Sequence, residues 1–118
     1  MLKHSILLLT DKYEKFFDLL EPVSFIYNNN SFYNLGTSQR THIGFIANSI
    51  EESLENSGLT TQEFAGYILQ EKNSELENGT RFLRYEEFIA LNTWQIQKLK
   101  SRVTELETQL EELKSKIN

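Results

Sequence analysis

From Tyr85 to Asn118 apolar side chains return at alternating intervals of three and four residues, and the alternation never breaks. In heptad terms Ile89, Ile96, Val103, Leu110 and Ile117 occupy a, and Tyr85, Asn92, Leu99, Leu106 and Leu113 occupy d. After Gln95 the remaining positions are almost all polar or charged. A stripe only two residues wide per heptad is too narrow to pack on the side of a globule and matches a second copy of itself, so the pattern predicts a long helix that oligomerises. Proline and glycine are absent from the stretch, which agrees with the helix locally. Flanking charges allow a parallel arrangement: Arg102 at g would meet Glu107 at e of a neighbour. β-Branched residues at a with Leu at d favour two strands, whereas Leu110 at a and Asn92 at d soften that rule, and the seam by itself leaves the number of chains open.

Before Gln95 the helix changes character, because Phe88, Leu91 and Trp94 fall at g, c and f and spread apolar surface around its first turns. Such a segment belongs with a folded head. The expected organisation is an α+β class chain: a head over residues 1–90 made of helices and short antiparallel strands, and a coiled-coil stalk over 91–118 on a helix that starts near 85. Within the head, Tyr13, Phe16, Phe17 and Leu20 share one face of a helix led by Asp11 and Glu14 at capping-box spacing, and Pro22 follows its end. Val23–Tyr27 alternates as a strand, Asn28–Gln39 is a loop, and Arg40–Ile46 is the return strand. Ser49 and Glu52 suggest a second capping box on a helix closed by Gly58. Phe64–Leu69 reads as a further strand, with Arg81–Arg84 as its hairpin partner across a polar turn.

Composition narrows the chemistry. Cysteine is absent, which removes disulfides, thiol catalysis and the common zinc frameworks. The net charge is −5, opposite in sign to a nucleic-acid footprint, and the apolar run Ile6–Leu9 is far short of a membrane span. Neither nucleic acid nor membrane is expected as a partner, and no cofactor or metal. His4 and His42 lack the i, i+4 partner of a helical metal site, and His42, beside Ile43 and Phe45, reads as a hydrogen-bonded structural residue. Glu51, Glu52 and Glu55 read as a solvated helix face, and Arg81 and Arg84 as the frame of the hairpin.

One ordered set of residues carries a resemblance. The segment Arg40-Thr41-His42-Ile43-Gly44-Phe45-Ile46-Ala47 is followed by Ile50-Glu51-Glu52 and Gly58-Leu59. Around it stand Leu2-Lys3, Ile6, Lys12-Tyr13, Leu20, Pro22-Val23-Ser24-Phe25, and Leu83-Arg84-Tyr85 with Glu87-Phe88 and Ala90-Leu91 leading into the heptads. Together they resemble the C-terminal intramolecular chaperone domain of bacteriophage tail spikes, fibres and neck appendages, the peptidase S74 family, with Arg40, His42, Gly44 and Phe45 in its most recognisable segment.

That resemblance implies a homotrimer that aligns and helps to fold an N-terminally attached β-rich fibre in the bacterial host cytoplasm, then releases itself by autoproteolysis and is absent from the mature fibre. The implied cleavage pairs a serine nucleophile with a lysine five positions later as general base. Lys3 matches the lysine, and the serine would lie upstream of Met1; Ser5 is on the wrong side of Lys3 for the motif. No turnover enzyme is expected of this chain as it stands. Two other readings remain: a plain coiled-coil oligomerisation or adaptor module without processing, in which Lys3 is surface charge, and a peptidase acting in trans, which the incomplete dyad disfavours.

Overall fold

The computed structural model describes residues 2–27, 40–70 and 80–117. The chain falls into two compact units, Met1–Arg84 and Tyr85–Asn118. The first holds helix α1 (Asp11–Leu19), strands β1 (Val23–Phe25) and β2 (His42–Gly44), helix α2 (Ala47–Ser57), a single 3₁₀ turn (Thr61–Glu63), and strands β3 (Tyr67–Gln70) and β4 (Thr80–Leu83). The second is helix α3 (Glu86–Ile117). The fold is α+β, a small head with strands and a long C-terminal helix.

The head is organised by the packing of α1 against α2. On α1, Phe16 is fully buried while Tyr13 and Phe17 are half-buried on the predicted face, and Leu20, at the C-cap just past the helix, is half-buried as well. On α2, Ile50, Ser53, Leu54 and Ser57 are buried at 3–4 residue spacing. Phe16 meets Phe64 with ring centroids 4.9 Å apart, and the Tyr13 hydroxyl donates to the Glu63 carbonyl at 2.8 Å. The two buried serines are satisfied, Ser53 donating to the Leu19 carbonyl (3.3 Å) and Ser57 to the Leu54 carbonyl (2.8 Å).

Strands β1 and β2 pair antiparallel with Val23 opposite Gly44 and Phe25 opposite His42. Strands β3 and β4 do the same with Tyr67 opposite Leu83 and Leu69 opposite Arg81. Both pairings join segments expected to be strands, although β1 and β2 are shorter than expected and the loop expected over 28–39 lies outside the described residues, as do 71–79 of the polar turn. Phe64 is not the start of a strand. It closes the 3₁₀ turn, and Ala65-Gly66 turns the chain before β3 begins.

The helix starts differ from the capping-box spacing. The N-cap of α1 is Thr10 and that of α2 is Ile46, neither with a side-chain cap, so Asp11 is already the first helical residue and Ser49 the third. Asp11 and Glu14 act instead as first-turn acids, favourable at the positive end of the helix dipole. The capping box forms where none was expected, at Thr60 and Glu63: the Thr60 N–H and hydroxyl both donate to Glu63 Oε1, at 2.9 and 3.1 Å. Hydrogen bonding there draws the Glu63 carboxyl below its usual range.

At the other end of α2 the expected left-handed cap is present. Gly58 has φ +85°, its N–H bonds the Glu55 carbonyl, and the Leu59 N–H reaches the Leu54 carbonyl at 2.9 Å, the paired bonds of a Schellman motif. A Cβ at Gly58 would meet the Lys12 side chain at an ordinary 3.6 Å, so the cost of Gly58→Ala is backbone strain alone. We expect it to lower stability by about 1 kcal/mol, read as a fall of several degrees in the melting midpoint.

Helix α3 runs for 32 residues without a break, on the order of 48 Å. Acidic Glu86 and Glu87 stand in its first turn and Lys114 and Lys116 in its last, both matching the helix dipole. Phe88 and Leu91 are buried and Trp94 half-buried, the residues that depart from the heptad seam.

Candidate functional site

Among the described residues, the seam of α3 is a continuous row of apolar side chains left open to solvent. Its aliphatic members Ile89, Ile96, Leu99, Val103, Leu106, Leu110, Leu113 and Ile117 are all exposed, from 46% at Leu106 to 76% at Ile117, and Tyr85 and Asn92 are exposed as well. Covering a half-exposed Leu or Ile is worth on the order of 1 kcal/mol, so eight of them supply roughly 8 kcal/mol per chain, within the range that association consumes. Charged neighbours on the helix pair locally: Arg102 with Glu105 at 3.0 Å and Lys114 with Glu111 at 3.8 Å. These i, i+3 contacts are exposed and worth little.

Lys3 lies in a separate place, the segment 2–10, where every residue is exposed and none is in a helix or strand. Leu2, Ile6, Leu7 and Leu8 in that segment are apolar and more than two-thirds exposed. Ser5 has φ +55°, and its hydroxyl is 3.0 Å from His4 Nδ1.

The family-segment residues sit on β2 and its flanks. Arg40 is exposed, Gly44 buried, and His42 and Phe45 half-buried. The His42 ring stacks on Phe25 (5.7 Å between centroids, 20° between planes) and meets Tyr27 edge-on at 4.9 Å, while Phe25 and Tyr27 are 5.2 Å apart. Its Nε2 is buried without a hydrogen-bond partner among the described residues. Aromatic packing therefore places His42, and the expected hydrogen-bonded role is not met at Nε2.

The solvated reading of Glu51 also needs correction. The Tyr67 hydroxyl donates to Glu51 Oε2 at 2.9 Å, Arg81 Nε donates to the same oxygen at 3.0 Å, and Arg81 Nε lies 3.2 Å from the Tyr67 hydroxyl. This three-residue network ties α2 to both strands of the β3–β4 hairpin. Hydrogen bonds from Tyr67 and then Arg81 hold the Glu51 carboxyl below its usual range, and burial first, then the bond to Glu51, pushes the Tyr67 phenol up. A carboxylate whose pKa falls on folding adds stability above its unfolded value of 4.5, and that stability is lost as the pH drops through the lower folded value. Glu51→Gln should therefore melt below the wild type at pH 7, with the gap closing as the pH falls below about 4. A gap that stays constant to pH 3 would show that the Glu51 charge contributes nothing.

Among the described residues no helix is long and apolar enough to cross a membrane, and no group of three His, Cys, Asp or Glu is placed to hold a metal.

A head of two helices and short hairpins ending in one long, open-seamed helix defines a class also seen elsewhere. A solved structure described as "a novel intramolecular chaperon" matches with a TM-score of 0.61 over 85% of this chain and 95% of that one, at 22% identity, a likeness of fold. No curated protein matches the sequence. The model of the peptidase S74 family, the chaperone of endosialidase, matches residues 1–59, half of the chain, and the protein belongs to that family.

Proposed function

We propose that this chain is an intramolecular chaperone that assembles as a parallel homotrimer through α3, aligns three copies of an N-terminally attached fibre, spike or appendage while they fold, and leaves by autoproteolysis on its N-terminal side. The observation that carries the reading is the open seam from Ile89 to Ile117, eight exposed aliphatic residues on a helix whose other positions after Gln95 are polar or charged. Long-range β pairing among three chains is slow and prone to slip, because loop closure precedes the contacts that reward it. A C-terminal seam that joins the chains first turns the later encounters into intramolecular ones at high effective concentration. Once the fibre has folded the seam is dispensable.

In this reading Lys3 is the general base for a serine upstream of Met1, and because residues 2–10 are exposed in the single chain, the precursor's fold or assembly has to enclose the segment for that chemistry. A serine hydroxyl requires such a base to become a nucleophile, and lysine fills the role only in its neutral form. The partners are then other copies of the chain and the attached fibre, the site of action is the host cytoplasm during phage assembly, and nucleic acid and membrane play no part. Sedimentation equilibrium at tens of micromolar tests the assembly: a trimer is expected, and a monomer would overturn the reading. A trimer whose longer precursor is never cut would instead identify a plain oligomerisation module.

A further inference from the structure

The seam of α3 is almost degenerate along its length. The a column is aliphatic throughout, and d from Leu99 onward is Leu at every position. If one helix slides by a heptad past its neighbours, aliphatic layers still meet aliphatic layers, and burial alone penalises the slip only by the loss of one terminal heptad. Asn92 breaks the degeneracy. It is the one polar residue in either column from Ile89 to Ile117, and its carboxamide carries two donors and an acceptor that a Leu layer leaves unsatisfied.

Asn92 is exposed in the single chain, so its carboxamide is accessible to a neighbouring copy. In a parallel bundle in register, the d residue of one helix shares a layer with the same d residue of its neighbours, and the Asn92 carboxamides meet one another. When copies are offset by seven residues, each Asn92 faces Leu99 or Tyr85 at d instead.

Resting on the trimer reading above, we infer that Asn92 fixes the axial register of the assembled α3 helices: its carboxamide meets those of neighbouring copies only when the chains are level. The partner is a second and third copy of this chain, and the role is one of alignment at some cost in stability, as for other polar residues in apolar seams.

The test uses the full chain. Because it contains no cysteine, Ser115→Cys, on the exposed f face near the end of α3, takes a single nitroxide label. Electron–electron double resonance then measures the distance between labels on different copies. With Asn92 in place one narrow distance is expected. In Asn92→Leu the melting midpoint should rise by several degrees, while a second distance population appears from copies offset by about 10 Å along the axis. Moving the polar layer, as Asn92→Leu with Leu99→Asn, should restore a single population. A single narrow distance in Asn92→Leu would overturn the proposal, as would two populations in the double variant. Absence of any inter-copy distance in the labelled chain with Asn92 intact would instead remove the oligomer on which the proposal rests.

Discussion

On the proposed trimer, Leu106→Asp is expected to leave monomers at concentrations where the unaltered chain should assemble. Leu106 occupies a d position in the middle of the seam and is 46% exposed in the single chain, so the substitution removes nothing from the chain's own core. In the assembly it would bring three carboxylates into one apolar layer, at a cost of several kcal/mol per chain for unpaired buried charge. That is comparable to all that the seam supplies. The control is Ser101→Asp, which introduces the same charge at f, away from the seam, and should leave the trimer intact. Most helical stability in proteins comes from packing of an apolar face, so the monomer should also lose helical signal from the distal part of α3 while the head stays folded. Sedimentation equilibrium and circular dichroism check the two halves of the expectation; equal assembly of both variants would mean that the heptad register is wrong.

The second large effect, which rests on the proposed cleavage, concerns Lys3 in a version of the chain extended upstream to include the serine that the proposal calls for. That precursor should cut itself once, at the peptide bond just before the serine, and Lys3→Ala or Lys3→Arg should leave it whole. Arginine keeps the charge but gives up no proton at neutral pH, so the pair of variants separates a basic role from a merely electrostatic one. Assembly should persist in both, because Lys3 stands on the exposed segment 2–10 and not on α3. Cleavage should in turn fail in Leu106→Asp if the trimer holds serine and lysine together. A gel of the extended chain beside these variants reads all outcomes, and cutting that survives the loss of Lys3 would take it out of the mechanism.

How much of this was legible beforehand follows the range of the interactions. The seam of α3 was readable because a heptad repeats within seven residues and needs no knowledge of the rest of the chain. Gly58 was readable for the same reason: a left-handed cap demands a residue without Cβ at one position. The starts of α1 and α2 were misplaced, because buried faces centred on Phe16, Ile50 and Leu54 extend the helices past the residues that looked like caps. Least legible was the Glu51–Tyr67–Arg81 network, whose members are 14 to 30 residues apart. A usable signal did exist. With Tyr67 opposite Leu83, Arg81 falls two residues along on the same face, a diagonal cross-strand pair, and only the approach of Glu51 on α2 required the tertiary structure.

The uninterrupted helical run of α3 also fixes a length scale for the errors it can make. Seven residues of helix advance about 10 Å, whereas a β-strand advances about 3.3 Å per residue, so one heptad of slip passed to strands tethered to the helices displaces them by about three residues. Three is odd, and an odd displacement turns each strand's inward side chains outward. On the proposed function, a misaligned seam would hand an attached fibre strands with the wrong face toward the core, whereas a two-heptad slip, about six residues, would keep the faces and misplace only the ends. Single-heptad errors are then the ones such an assembly has most reason to suppress, and they are the ones that one polar layer near the head end of α3 penalises.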